Sequence, residues 1–503
     1  MITKLWADRR GSYTITFGLF GLVLVLAAGG TTDMVRYLDT RAKLQDAVDA
    51  TALYVAARHK NGEGDEGGDQ SLARTHLAKV FDPRFGTLGT VSAASSGNTL
   101  TVTAEAGIST YFLKIVQLDA LSSTVTSTAT WSSSSLEIAL VLDTTGSMAD
   151  SNKLPSLKTA ATSLVDTLSA KASATYSIKF ALVPFSNFVN VGSSNQSATW
   201  IDKGGSQRSS YYDAYFSEHG DRLEIFTKLG KTWPGCVETR PAPYDMDETA
   251  PTTATPDTLF VPAVHPDEPD SGSYIANDYM DDQSASWDAK TRMKNKKKYD
   301  NPVNVDFSNS TLYSNYKVPK GPQFMCDVKP IQRLTNSYTS VKSQINALTA
   351  AGSTNVPEGI AWGWRALSPK APFADGKTYT DTDNDKIMVV LTDGTNSINT
   401  FPTDLGGAYS SWGYPYSQRL GSNPGTNLRN GLDTKTRTVC AAAKAAGIKV
   451  YTIGLMIDDK AGQQLLSDCS SGSGYYYNSP TAGQLQSVFD DIAKKISKLR
   501  IAS

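Results

Sequence analysis

Between residues 11 and 32 the chain carries no charge, and the stretch Ile15-Thr-Phe-Gly-Leu-Phe-Gly-Leu-Val-Leu-Val-Leu-Ala-Ala28 is close to the ~20 residues that span a bilayer. Leu44, Val48, Thr51 and Val55 then recur at helical spacing through Ala-rich sequence, so one long helix running to about residue 59 is expected, membrane-embedded at its start and projecting outward. Residues 61–70 are Gly- and acid-rich and read as a flexible turn. Residues 99–105 alternate polar and apolar as a half-buried strand does, 109–118 read as a short helix, and 123–131 alternate again. A small α+β spacer over 61–131 accounts for this, joined to the remainder by the serines at 132–135.

Beyond that linker the pattern changes. Ile138-Ala-Leu-Val-Leu is apolar on both faces, as a central strand of a parallel sheet requires, and 387–391 repeats it. Helical periodicity at 153–168, with Leu157, Leu164 and Leu168 on one face, precedes a strand at 179–183. A helix at 432–446, a strand at 449–454, a short helix at 461–467, an edge strand at 474–477 and an amphipathic helix at 485–499 complete the series. Strands alternating with helices predict an α/β, doubly wound sheet. Two stretches interrupt it: an insertion at about 190–336, rich in aromatics, prolines and acids, and a Gly/Ser/Tyr/Pro-rich loop at 395–430. Both fall at the ligand-bearing edge, where long loops are more often functional than connective.

The first strand ends on Asp143, followed by Thr145, Gly146 and Ser147. The carboxyl end of a central strand is where open α/β sheets bind ligands, and Gly146 is expected to turn the backbone tightly so that both hydroxyls face the carboxylate. Gly352-Ser353-Thr354-Asn355 precedes an apolar helical segment, and the 387–391 run ends in Thr392-Asp393-Gly394. Asp143, Thr145 and Ser147 offer only oxygen donors, which suits a hard cation such as Mg²⁺, and the two later stretches are candidates to complete the set.

On these three loops the chain resembles the von Willebrand factor A family, whose metal-ion-dependent adhesion site (MIDAS) uses Asp-x-Ser/Thr-x-Ser, then Thr, then Asp, a pattern matched by Asp143, Thr145, Ser147, Thr354 and Asp393. Thr145 is a departure that keeps the hydroxyl. The resemblance covers about residues 136–499 and implies a Rossmann-like domain that binds protein partners through Mg²⁺ or Mn²⁺, a partner carboxylate completing the shell. An A domain that kept its loops as a metal-free scaffold is the alternative.

Lys4, Arg9 and Arg10 against Asp8 ahead of the span predict a cytoplasmic N-terminus, an inner-membrane single-pass anchor and an exported remainder. A cleaved signal peptide fits less well, because no A-x-A site appears and the helix continues. Arg10-Gly11, the span, Asp33-x-x-Arg36, Arg41, Leu44-Gln45 and Asp46-Ala-Val-Asp49-Ala are similar to the TadE/TadG-like proteins of the Flp (tight adherence) pilus system, over about residues 1–60. Its pairing with a C-terminal A domain looks like a TadG-type protein. Type IV pilins also begin with Gly before such a helix, but the Glu they carry soon after is missing from 12–16, so a retained anchor is preferred.

With 48 Lys and Arg against 49 Asp and Glu, no global field points to nucleic acid. The four cysteines lack C-x-x-C spacing; in an exported chain an even count favours two disulfides, the preferred pairing being Cys236 with Cys326 and Cys440 with Cys469, with connectivity left open by the sequence and four buried free thiols as the alternative. Lys294-Asn-Lys-Lys-Lys298 reads as a solvated loop, and Asp381, Asp383 and Asp385 as a polar hairpin rather than a calcium loop. Four scattered histidines and the lack of H-E-x-x-H, G-x-S-x-G, Walker or G-x-G-x-x-G motifs argue against an enzyme. The expectation is a membrane-anchored envelope protein of a Flp/Tad-type pilus or adhesion system binding a protein partner; a structural, pilin-like component is the alternative.

Overall fold

The computed structural model describes residues 10–499 except 61–67, 97–98, 131–134, 174–175, 204–220, 271–276, 283–287, 311–317, 382, 401–404 and 421–426. The turn expected at 61–70 therefore lies largely outside the described residues. Two compact units divide between residues 133 and 134.

The first unit begins with α1 (Arg10–Lys60), one continuous helix. Its early apolar side chains, Phe17, Leu19, Phe20, Val23 and Leu24, stand exposed, and the helix is long and apolar enough there to cross a membrane. Further along, Leu44, Val48, Ala52 and Val55 are fully buried, because at this spacing they form one stripe that packs on a sheet. That sheet is a three-stranded antiparallel meander of β1 (Thr87–Ser96), β2 (Thr99–Ser109) and β3 (Ala120–Thr130), with α2 (Asp69–Val80) against β1. Leu100, Val102, Ala104 and Ala106 alternate inward from β2. The helix expected at 109–118 is reduced to one 3-10 turn, Leu113–Val116, because β2 runs through Ser109 and residues 110–119 must reverse the chain into β3.

The second unit is the doubly wound α/β sheet. Its strands are β4 (Ser135–Asp143), β5 (Ile178–Phe185), β6 (Gln332–Thr335), β7 (Asn384–Thr392), β8 (Lys449–Leu455) and β9 (Tyr476–Ser479), in the order β6-β5-β4-β7-β8-β9. All neighbours are parallel except β5 and β6. Every residue of β4 is buried, since both faces are covered. Ile138, Leu140 and Leu142 share a core with α3 (Lys153–Ser169), α6 (Tyr338–Asn346) and α10 (Leu485–Leu499). Ala139 and Val141 face α7 (Val356–Leu367), α8 (Asn427–Ala445) and the Cys469 end of α9 (Lys460–Cys469). Helix α7 lies unusually close: a side chain on Gly363 would meet Val141 Cγ2 at 2.4 Å, and one on Gly359 would meet Phe185 at 2.6 Å.

The insertion packs on the α7 side with little regular structure beyond α4 (Arg222–Lys228) and α5 (Ala289–Lys294). Two disulfides form, Cys236–Cys326 and Cys440–Cys469. Buried ion pairs lie within it: Arg222 Nη1 is 2.6 Å from Glu238 and Lys298 Nζ 2.7 Å from Asp267. Lys298 is thus not part of a solvated loop as its sequence cluster suggested; the cluster's last lysine is turned inward by the Asp267 carboxylate. Near β7, Asp381 Oδ1 accepts from the Asp383 backbone N–H, a turn preceding the strand.

Candidate metal centre

Strands β4 and β7 are neighbours, so parallel pairing puts their carboxyl ends side by side, and Asp143 arrives beside Thr392 and Asp393. The Thr144 N–H donates to Phe185 O at 3.0 Å, fastening the first loop to β5. The second loop is tied to the first by Gly146 N–H to Gly352 O, 2.9 Å, and by Ala351 N–H to Thr144 O, 2.7 Å. The Ser397 N–H to Thr354 O bond, 2.8 Å, joins the third. Gly146 was expected to supply the tight turn, but the left-handed backbone belongs to Gly352, with φ +84°. A side chain at Gly352 would come within 2.9 Å of Asn187 Oδ1, which also accepts from the Ser353 N–H, so space and φ both demand glycine there.

Around this frame, Asp143 is fully buried; one oxygen accepts from Thr145 N–H at 2.8 Å and the other from Thr392 Oγ1 at 2.6 Å. Thr145 Oγ1 lies 3.2 Å from Ser147 Oγ, and Ser147 Oγ donates to Asp393 Oδ1 at 2.8 Å. The second Asp393 oxygen receives Lys153 Nζ at 2.8 Å. Four of the five expected residues are thereby linked in one chain of hydrogen bonds. Thr354 is placed alongside: its Oγ1 is 3.6 Å from where a side chain on Gly394 would start, but among the described residues it makes no hydrogen bond to the other four.

Burial pushes the Asp143 carboxyl up from its ordinary 3.8 to about 7, the Asp393 charge adding to this and the bonds from Thr145 and Thr392 opposing it. A buried carboxylate held so high is one that a cation would relieve. The donor chemistry fits a hard divalent ion: carboxylate and hydroxyl oxygens only, with Ser147 exposed at the rim. Asp143 and Asp393 would supply charge, and Thr145, Ser147 and Thr354 neutral oxygens. Two participants escaped the sequence reading. Thr392 is hidden as the last apolar-strand position, although its place immediately before Asp393 is a usable signal; Lys153 opens α3 and nothing local ties it to residue 393.

Residues 11–58 match the Flp pilus-assembly TadE/G-like family, a match confined to α1 that associates this helix with pilus assembly. No curated protein matches the chain in sequence. Among solved structures, the chain is similar to the pilus adhesin SpaC of Lactobacillus rhamnosus GG at 12% identity and TM-score 0.33, covering 81% of this chain and 34% of that one. The vWF domain of the type V pili tip protein Mfa5 from Porphyromonas gingivalis is similar at 11% identity and TM-score 0.33, covering 72% of this chain and 95% of that one. The pilus adhesin RrgA from Streptococcus pneumoniae matches at 11% identity and TM-score 0.33, covering 82% and 49%. This chain thus spans about a third of SpaC's length.

Proposed function

We propose that this chain is a pilus-associated envelope protein of TadG type, whose α/β unit is a von Willebrand factor A domain with a metal-ion-dependent adhesion site. In this reading α1 is an inner-membrane, single-pass anchor with its N-terminus in the cytoplasm. Asp143, Thr145, Ser147, Thr354 and Asp393 hold Mg²⁺ or Mn²⁺, and the role is binding rather than catalysis. The bound cation would offer a ligand position to a carboxylate of a protein partner, either pilus or secretion machinery or a surface ligand. What supports it most is the hydrogen-bonded run from Asp143 through Thr145 and Ser147 to Asp393, assembled from two strand ends at the edge where such sheets bind ligands.

A second reading, a structural component with a metal-free scaffold, is favoured by one observation: Lys153 already places a cation on Asp393. Calorimetric titration of Mg²⁺ and Mn²⁺ into the full chain in detergent, beside Asp143→Ala and Lys153→Met, separates the two. Saturable binding is expected in the parent and none in Asp143→Ala. Lys153→Met should bind about tenfold more tightly, because a competing charge a few ångströms away is gone. No binding in either the parent or Lys153→Met would retire the cation and leave the scaffold.

A further inference from the structure

The loop between β2 and β3 packs on α1 at the end of its uncharged stretch. A side chain on Gly29 would fall 2.2 Å from the Phe112 ring, and one on Gly30 would meet Leu113 Cδ2 at 3.3 Å, so the loop lies directly on the helix backbone. Asp33, the first charge after the span, is fully buried by this contact. Its carboxylate accepts three backbone N–H groups, those of Tyr111, Phe112 and Leu113, at 3.0, 2.8 and 2.9 Å. One position beyond a bilayer span, an ionised carboxylate facing lipid is costly; here the loop's backbone solvates it instead. Arg36 completes the junction, donating to Ser109 O at 3.2 Å and lying 4.3 Å over the Tyr111 ring.

The outward side of the same loop is apolar. Outside α1, four of the seven exposed large hydrophobics among the described residues are Tyr111, Ile115, Val116 and Leu118, 44% to 68% exposed. On α1 itself, Met34, Val35 and Leu38 are exposed at the same level. Nothing in the packing of this unit covers them. The uncharged stretch from residue 11 to residue 32 is about 33 Å of helix, which matches a hydrocarbon core of about 30 Å. Residues 29–33, and the loop seated on them, therefore coincide with the boundary between acyl chains and headgroups. Tyr111 and Lys114 are the residue types that favour that boundary, with an aromatic ring at headgroup level and an ammonium on a long apolar stem.

We propose that the loop of residues 111–118 is a second membrane contact: it dips into the headgroup layer of the bilayer that α1 crosses, its exposed side chains in lipid. The occupant is lipid rather than protein because the apolar surface is continuous with the apolar flank of the spanning helix and stops within one loop. This rests on the reading of α1 as a membrane span. The anchor then holds the first unit by two points, and the buried Asp33 couples them.

The test uses the full chain reconstituted into phosphatidylcholine–phosphatidylglycerol vesicles. The native cysteines are in disulfides, so an environment-sensitive fluorophore on Ile115→Cys reports one exposed position without touching the core. Thr128→Cys, exposed near the far end of β3 and about 26 Å of strand from Ala120, is the control. The expected result is a blue-shifted emission at 115 that is quenched by brominated acyl chains and protected from aqueous iodide, with the opposite at 128. Vesicle flotation of the labelled chain with water-like emission at both positions overturns the loop contact and leaves the anchor. Protection from iodide without quenching by brominated chains also overturns it, a second copy of the chain then covering the loop. Failure to float defeats the anchor reading, and the loop contact with it.

Discussion

Burial in the α/β unit opposes the ionisation of Asp143. Its carboxyl titrates near 7 when folded and near 3.8 ordinarily, so between those values the folded chain holds a proton that the unfolded chain has lost. A raised folded value means that the contribution to stability is fully present below 3.8 and is lost as pH rises toward 7. In the proposed site a cation must displace that proton. Affinity for Mn²⁺ is accordingly expected to rise with pH up to about 7 and then level off. Calorimetry in two buffers of different ionisation enthalpy should show about one proton released per cation below that pH and none well above it; a pH-independent affinity would remove Asp143 from the site. Asp143, Thr145, Ser147 and Asp393 were legible because strand ends followed by Asp, hydroxyl and Gly residues are a local pattern. Lys153 and Asn187 were not, because their partners at 393 and 353 are chosen by strand order and loop contact rather than by neighbours in sequence.

Among the elements, α7 is the one on which the site depends most, since Thr354 leads into it and its glycines set its distance from β4 and β5. Gly363→Ala places a methyl 2.4 Å from Val141 Cγ2, on a β-branched side chain with little room to turn. A loss of about 1–3 kcal/mol is expected, read as a lower denaturant midpoint at unchanged slope; an unaltered midpoint would show that the helix is free to shift outward. The central strands were readable because burial on both faces leaves unbroken apolar runs. Strands β1 and β6 and helices α2 and α6 were missed: Thr87–Ser96 is mostly small and polar, the four residues of β6 fell inside the stretch expected to be insertion, α2 shows a buried face of only Ala73 and Leu77 beside Asp69, and α6 is short. Each is held by its neighbour rather than by its own pattern. The 111–118 segment shows the converse. Its apolar side chains suggested a helix to be packed, whereas the fold leaves them outside.

At the scale of the whole molecule, the insertion is an elaboration whose apolar interior joins the core on the α7 side of the sheet, closed by Cys236–Cys326, which spans 90 residues. Cys236→Ala with Cys326→Ala should cost about 4.6 kcal/mol by the loop-entropy account. Limited proteolysis should then cut first between residues 190 and 331, with fragments from the sheet surviving; unchanged stability and cleavage would mean that the apolar packing and ion pairs hold the insertion without the disulfide. The sequence by itself determined the apolar helix, the α/β alternation and the carboxylates at the strand ends, because hydrophobic period and chemical type are local properties of a chain; which cysteines pair was decided by the fold. Only the tertiary structure decided that Ser147 meets Asp393 across 246 residues, that Lys153 stands on the same carboxylate, that Lys298 is buried on Asp267, and that Asp33 is capped by a loop exposing its apolar side. Those pairings follow from strand order and packing distance, and neither is written in any short stretch of sequence.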